Sequence, residues 1–320
     1  MEKVTKVTFN EEKQKLIDNL ITKYSRDVPY FAEKDICEEI NVPIEDGELK
    51  VFHYIPKNNK GKRPILFAPG FGSSTWAWKD FVIPFYEKNE FYYLETREKN
   101  SSKIRRSRKS KFTNEQTAKD FGATIKYLGL DKKDFVLMGT SYSGGAILNG
   151  IAKKIFSAPT AIAFQPLKTY KKQRKITIIF FPFPPFALNL FKHIFVWLVF
   201  LGMKNKEQKK RIKKYIVEGD AWKWRRGGID NFNYDLEDAL PLIEDEVFIF
   251  HGPKDRYHPD IVFEEMTKAT QKGRYFHLNC ANDKRQILAG IIGYEFTNVK
   301  KEEGVPESFK PFEVEIIREK

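Results

Sequence analysis

The sequence has few cysteines and no arrangement of residues that implies a metal-held or nucleotide-binding scaffold. Its 320 residues include two cysteines, Cys37 and Cys280, which are too few for the disulfide framework of a small secreted domain. Neither a zinc-type Cys/His spacing nor a G-x-x-x-x-G-K-[ST] phosphate loop occurs in it. The sequence therefore predicts no cofactor and no metal site. The start, MEKVTKVTFN, also lacks the apolar stretch of a signal peptide, so we expect a reducing, cytoplasmic location.

Acidic residues are outnumbered, and the imbalance is local. The chain carries 56 Lys and Arg against 43 Asp and Glu, a formal net charge of +13. Segments 103–111, 168–175 and 204–215 hold 18 of the basic residues and one acid, whereas the rest of the chain, with 38 basic and 42 acidic residues, has a net charge of −4. Such clusters indicate an anionic partner, either nucleic acid or a membrane surface, that meets these segments.

Apolar runs alternate with helical patterns along most of the chain. This order predicts an α/β fold with a mostly parallel sheet and helices on both faces. The predicted strands comprise residues 40–44, 49–55, 64–67, 91–94, 135–138, 161–164, 247–250 and 274–278. A capping box at Thr113-Asn114-Glu115-Gln116 predicts the start of one helix, which Gly129 ends. Because parallel strands need right-handed crossovers, their carboxyl ends share one edge, where a ligand should bind.

Three motifs at that edge resemble the α/β-hydrolase fold: strand-GTSYSGG-helix, strand-PGFGSS and strand-HGPKD. In that family a serine lies on a sharp strand-to-helix turn between small neighbours, and Ser141 occupies this place. The motif departs from G-x-S-x-G at Ser143, although Gly144 follows at once. The resemblance implies that Ser141 is a nucleophile and that the backbone amides of Phe71 and Tyr142 form the oxyanion hole.

The resemblance is less complete for the acid and the base. Asp255 matches the family's acid, which would hold a histidine in the correct tautomer. The family's histidine follows the last strand, but residues 280–285 read CANDKR. His258 is the candidate base, with an ordinary loop histidine as the alternative. We interpret the remaining histidines as structural residues or cap residues; they are His53, His193, His251 and His277.

The chain therefore supports two functional hypotheses. The first is a serine hydrolase acting on an ester, with an acyl lipid as one candidate, through an atypical triad. The second is a non-catalytic α/β-hydrolase-fold protein that binds a ligand or partner. Glu95 and Arg97 stand in the loop after the fourth predicted strand and form either a buried ion pair near the pocket or a solvated rim.

The region between the strands at 161–164 and 247–250 corresponds to the family's inserted helical cap. The predicted division is an extension over 1–34, a core over 35–164 and 246–320, and a cap over 165–245. Residues 176–203 are almost entirely apolar, but prolines break them, and one crossing would place two halves of a sheet on opposite sides of a bilayer.

Two positions of this apolar cap stay open. It lies on an anionic lipid surface through residues 168–215, as flanking Lys and Arg clusters favour, or it packs inward and lines an acyl pocket. The first position predicts a peripheral protein on the inner membrane face. Nucleic acid is a less favoured partner because no nucleic-acid-binding module is recognisable.

Overall fold

The computed structural model describes residues 10–57, 62–180, 182–201, 206–252 and 260–318. Within these ranges the chain forms ten strands and nine α-helices. The strands are β1 (Glu38–Ile44), β2 (Gly47–Tyr54), β3 (Ile65–Ala68), β4 (Phe91–Glu95), β5 (Lys103–Ile104), β6 (Val136–Thr140), β7 (Thr160–Phe164), β8 (Glu246–Phe250), β9 (Lys272–Phe276) and β10 (Glu313–Val314). The helices are α1 (Glu11–Tyr24), α2 (Asn114–Tyr127), α3 (Tyr142–Ala152), α4 (Arg174–Phe180), α5 (Pro185–Leu201), α6 (Lys206–Glu218), α7 (Ala221–Asp230), α8 (Asp260–Ala269) and α9 (Arg285–Thr297).

The strands form one sheet in the order β1-β2-β4-β3-β6-β7-β8-β9-β10, with β5 paired to β2. The pairs from β4 through β3, β6, β7 and β8 to β9 are parallel, and the pairs at the two ends are antiparallel. The sheet is therefore mixed and mostly parallel, as predicted. The carboxyl ends of β3, β6, β7, β8 and β9 lie along one edge.

Each face of the sheet is covered by its own set of helices. Phe67 and Met138 belong to an apolar cluster with residues of α1 and α9, whereas Leu66 and Leu137 belong to a second cluster with residues of α2, α3 and α8. Neighbouring strand residues point to opposite faces, so a strand buried on both sides is apolar at every position. This explains why the central strands are short apolar runs without alternation.

All eight predicted strands are confirmed, with ends moved by at most two residues. The predicted capping box is only half formed. Thr113 accepts from the Gln116 N–H as expected, but the Gln116 side chain donates to Asp120, not to the N-cap backbone. Gly129 follows the end of α2 at φ +64°, a conformation that glycine adopts without steric cost.

The described part of the predicted extension packs on the core. Ile17, Ile21 and Tyr24 of α1 are buried against the α9 side of the sheet, and the Tyr24 hydroxyl donates to Glu295 of α9. Their spacing of four and three residues places them on one helical face. The division of the chain into extension, core and cap stays a prediction.

Helices α4 to α7 lie between β7 and β8, and the segments that connect them to the sheet are paired. Thr169 and Asp235 form an antiparallel bridge, and the Tyr170 N–H donates to the Tyr234 carbonyl at 3.0 Å. We call residues 168–170 and 234–236 the neck. None of the helices in the described ranges is long and apolar enough to cross a membrane.

Candidate active site

Ser141 lies on a strained turn between β6 and α3. Its backbone has φ +50° and ψ −116°, a conformation that costs a non-glycine residue about 1–3 kcal/mol. Three hydrogen bonds hold it there: the Ser141 N–H donates to Phe164 of β7 at 3.1 Å, and its carbonyl accepts from Gly145 at 3.0 Å and Leu167 at 2.9 Å. The surrounding structure therefore imposes the turn that presents this serine.

The small residues around Ser141 are required by close backbone approach. A Cβ added to Gly145 would lie 2.3 Å from the Tyr234 hydroxyl and 2.8 Å from the Leu167 carbonyl, and one added to Gly139 would lie 2.8 Å from the Ser143 carbonyl carbon. Real Cβ atoms do not approach other atoms so closely. The GTSYSGG motif is thus explained by packing of the turn on the first residues after β7.

Ser143 shows why a serine is tolerated where the family motif has glycine. Its side chain is buried, and its hydroxyl donates to the Pro69 carbonyl at 2.6 Å. Pro69 begins the loop after β3, so this hydrogen bond joins the serine turn to the predicted oxyanion loop.

The loop after β3 lies directly against Ser141. A Cβ added to Gly70 would be 3.1 Å from the Ser141 Cβ and 3.7 Å from its Oγ. The Phe71 ring packs edge-on against Tyr142, with centroids 5.5 Å apart. The structure therefore brings together Ser141, Phe71 and Tyr142, the three described residues that the sequence assigns to the reaction.

The hydroxyl of Tyr142 is bonded to groups outside the loop after β3. Its hydroxyl bonds to the Phe112 carbonyl at 3.2 Å and to Asn231 Oδ1 at 3.0 Å, and burial raises its pKa well above the usual range. This leaves the main-chain N–H as the group that Tyr142 offers to the site.

Two adjacent charged side chains, which the sequence analysis did not single out, contact the same loop. Glu98 Oε1 accepts from the Gly72 N–H at 2.9 Å, and Lys99 Nζ donates to the Gly70 carbonyl at 2.8 Å. The two side chains are buried and 3.3 Å apart. Burial lowers the pKa of Lys99, an effect that the Glu98 and Glu95 carboxylates oppose.

Neither interpretation of Glu95 and Arg97 is correct. Both residues are buried, which excludes a solvated rim. Arg97 pairs with Asp120 at 2.6 Å and Asp46 at 3.0 Å instead of with Glu95. Glu95 Oε2 accepts from Ser101 at 2.8 Å, and burial raises the pKa of Glu95 to about 7.

Asp255 and His258 lie outside the described residues, so their predicted roles stay predictions. The contacts of His53 fit the structural interpretation, and the place of His193 between β7 and β8 fits the cap interpretation. His53 stacks on Tyr92 with ring centroids 4.0 Å apart, and His193 is an exposed residue of α5.

His251 and His277 lie at the carboxyl ends of β8 and β9, near the expected position of a base. Both are buried, and their rings stack with centroids 4.6 Å apart. His251 Nδ1 donates to the Leu278 carbonyl at 2.6 Å, and His277 Nδ1 bonds to the Tyr275 hydroxyl at 3.0 Å. These contacts agree with a structural role for both rings.

Comparison with known proteins identifies the fold. No protein-family model matches the chain, and no curated protein matches its sequence. Solved structures do match. An esterase from Thermogutta terrifontis is 15% identical with a TM-score of 0.61, and the match covers 82% of this chain and 97% of the esterase. A hydrolase from Pseudomonas aeruginosa is 9% identical with a TM-score of 0.63, covering 82% and 99%.

A third match is a bacterial membrane phospholipase A, 14% identical with a TM-score of 0.58, which covers 85% of this chain and 86% of the phospholipase. Together with the mixed, mostly parallel sheet and its covering helices, these similarities show that the chain has the α/β-hydrolase fold. The fold assignment made from the three sequence motifs is confirmed.

Proposed function

We propose that the chain is a serine hydrolase that acts on an ester, with an acyl lipid as its candidate substrate. The observation that carries the proposal is the strained Ser141 turn packed against the Gly70-Phe71 peptide. A backbone held in this conformation by three hydrogen bonds is typical of a functional site. Esterases and other hydrolases among the structures with the same fold support it by analogy.

In this mechanism Ser141 Oγ attacks the ester carbonyl, and the Phe71 and Tyr142 N–H groups stabilise the negative charge that develops on its oxygen. A base takes the serine proton and returns it to the leaving alcohol, and water then hydrolyses the acyl-enzyme. His258 is proposed as this base and Asp255 as the acid that orients it.

A fluorophosphonate probe tests the nucleophile. We expect the wild-type protein to be labelled and to hydrolyse a 4-nitrophenyl ester, and Ser141→Ala to do neither. Ser157→Ala, which changes an exposed serine far from the turn in sequence, is the matched control and should be labelled normally. Full activity in His258→Ala would remove only the proposed base.

The second candidate function is a non-catalytic protein that uses the same pocket for binding. It is favoured by the absence of a histidine from residues 280–285, where the family carries its base. Failure of the wild-type protein to react with the probe, together with no ester turnover, would rule out the hydrolase and leave the binding function as the candidate.

We further propose that the cap docks on an anionic membrane surface. The outer face of α5 carries four large apolar residues that are 53% to 76% exposed, namely Phe186, Leu190, Ile194 and Trp197. Their spacing of four, four and three residues places them in one stripe. On the opposite face Val196 is buried and Lys192 donates to the Gly219 carbonyl. A largely apolar helix that leaves a stripe of large apolar side chains exposed favours an interfacial position over an inward-packed one.

Basic residues accompany this stripe on the neighbouring helices. Lys175 of α4 is exposed one turn before the exposed Ile178 and Ile179, and Lys210 and Lys213 are exposed on α6. Each basic residue near an anionic surface contributes about 1 kcal/mol. This mixture of apolar and basic groups fits a lipid surface with acidic headgroups, and hence a peripheral protein on the inner membrane face.

Co-sedimentation with vesicles tests the docking surface. We expect binding to vesicles containing phosphatidylglycerol, weaker binding to phosphatidylcholine alone, and release by salt. Phe186→Ser with Leu190→Ser should lower the affinity at least about tenfold, because each large apolar side chain contributes about 1.5–3 kcal/mol when fully buried. Ile317→Ser, which removes an equally exposed residue outside the cap, is the control. If the wild-type protein binds neither kind of vesicle, the membrane proposal is wrong and the cap is an internal lid.

A further inference from the structure

Lys99 contacts the peptide group that carries the proposed oxyanion donor. Its Nζ donates to the Gly70 carbonyl at 2.8 Å, and the same oxygen accepts from the Ser73 N–H at 3.2 Å, so Lys99 is the charged one of these two donors. The Gly70 carbonyl and the Phe71 N–H belong to one planar peptide unit, in which the two bonds point in opposite directions when the unit is trans. The described chain contains no cis peptide bond. A hydrogen bond that fixes the direction of this carbonyl therefore fixes the direction of the Phe71 N–H as well.

The contact also changes the strength of the N–H as a donor. A cation bonded to the carbonyl oxygen increases the double-bond character of the C–N bond and draws electron density from the nitrogen. Hydrogen bonds linked through one polar group strengthen each other in this way, most of all where water is excluded. Lys99 is almost fully buried, 4% exposed.

Neighbouring groups hold Lys99 and the other side of the loop. Glu98 Oε1 lies 3.3 Å from Lys99 Nζ and accepts from the Gly72 N–H. The pair therefore forms hydrogen bonds to the Gly70-Phe71-Gly72 segment on both sides of Phe71. Lys223 of the cap helix α7 donates to the Lys99 carbonyl. The buried Glu98–Lys99 pair at this tripeptide, and the buried Lys223 behind it, are costly to desolvate, and packing alone does not require them.

We propose that Lys99 is a positioning residue that orients and polarises the Gly70-Phe71 peptide, so that the Phe71 N–H stabilises the oxyanion of the reaction at Ser141. The inference rests on the proposed hydrolase function, because it assigns a role to Lys99 within that reaction. Lys99 itself does not touch the substrate and acts through the peptide bond.

Lys99→Met removes the cation and keeps most of the side-chain volume. Loss of a complete oxyanion donor lowers kcat about 10²–10³-fold; the donor here is weakened but retained, so we expect kcat to fall about 10- to 100-fold with KM changed less than about twofold. Rates are normalised to active sites counted from the burst of 4-nitrophenol, which removes any effect of partial unfolding. Lys62→Met, which removes a lysine bonded to Tyr294 at 3.0 Å, is the matched control and should keep the wild-type kcat.

A transition-state analogue separates positioning from a purely structural role. Butylboronic acid takes the Ser141 oxygen as a fourth ligand of boron, with release of the serine proton, and gives a tetrahedral anion. Its affinity should fall by about the same factor as kcat/KM in Lys99→Met. If that variant folds poorly, Glu98→Gln with Lys99→Met removes the buried pair together and leaves no carboxylate of Glu98 without its cation. A kcat per titrated site and a boronate affinity within twofold of the wild type would overturn the proposal. Absence of Ser141 labelling in the wild type would overturn the hydrolase function itself.

Discussion

Glu95 offers a direct test of the electrostatics around the proposed site. This carboxyl group is buried at the end of β4, and burial raises its pKa from 4.5 to about 7, although Lys99 and the Ser101 hydroxyl oppose the shift. Between these two pH values the native state holds a proton that the unfolded chain has lost. Stability from this group is therefore complete below pH 4.5 and is lost as the pH rises to about 7.

The size of the effect follows from the shift. One pKa unit corresponds to about 1.4 kcal/mol, so the free energy of unfolding should fall by about 3 kcal/mol over this window because of Glu95. Glu95→Gln cannot ionise and should not show this component. Its buried amide adds a constant cost of about 1–3 kcal/mol, which does not depend on pH.

Urea unfolding measured from pH about 4.5 to about 8 checks the prediction. The free energy of unfolding of Glu95→Gln, relative to that of the wild type, should rise by about 3 kcal/mol as the pH increases. Glu307→Gln, at an exposed carboxylate, should run parallel to the wild type. A difference between Glu95→Gln and the wild type that stays constant with pH would show that Glu95 is ionised throughout, and would refute the argument that burial outweighs the nearby cation.

Two stability comparisons follow from the packing and charge pairing described above. Gly145→Ala places a Cβ 2.3 Å from a side-chain oxygen and should destabilise the fold by several kcal/mol and abolish Ser141 labelling, whereas Gly122→Ala meets no atom closer than 3.5 Å and should stabilise α2 by up to about 1 kcal/mol. A change in the free energy of unfolding that has the same sign in both variants would contradict the steric argument. Arg97→Met leaves the buried Asp120 carboxylate and the half-buried Asp46 carboxylate without their cation and should cost about 3–5 kcal/mol in urea unfolding. Lys103→Met, at an exposed pair, should change stability by less than about 1 kcal/mol; equal effects would contradict the role assigned to burial.

Features that depend on local pattern could be predicted from the sequence. The runs at 135–138 and 161–164 are apolar at every position because both faces of the sheet are covered, and they are recognisable for that reason. The GTSYSGG motif identified the turn at Ser141 because backbone crowding there excludes side chains. The spacing of Ile17, Ile21 and Tyr24 was an equally usable signal for α1.

Features that depend on contacts between residues far apart in the chain could not be predicted from the sequence. Arg97 forms ion pairs with Asp46 and Asp120, which are 51 and 23 residues away in the chain. The contact of Lys99 with the Gly70 carbonyl joins residues 29 apart, and nothing in the sequence EKN distinguishes it from a solvated lysine. Tertiary structure alone selects such partners, since a buried cation bonds to whichever carboxylate or carbonyl the fold places beside it.

The neck limits how helices α4 to α7 can move. Leu167 donates to the carbonyl of Ser141, and beyond it Thr169 bridges to Asp235, so the two chain segments that flank helices α4 to α7 are joined to the serine turn and to each other. Movement of Leu167 would break one of the three hydrogen bonds that hold the serine turn in place. A movement of helices α4 to α7 that leaves these contacts intact must therefore bend the chain beyond residue 170 and before residue 234.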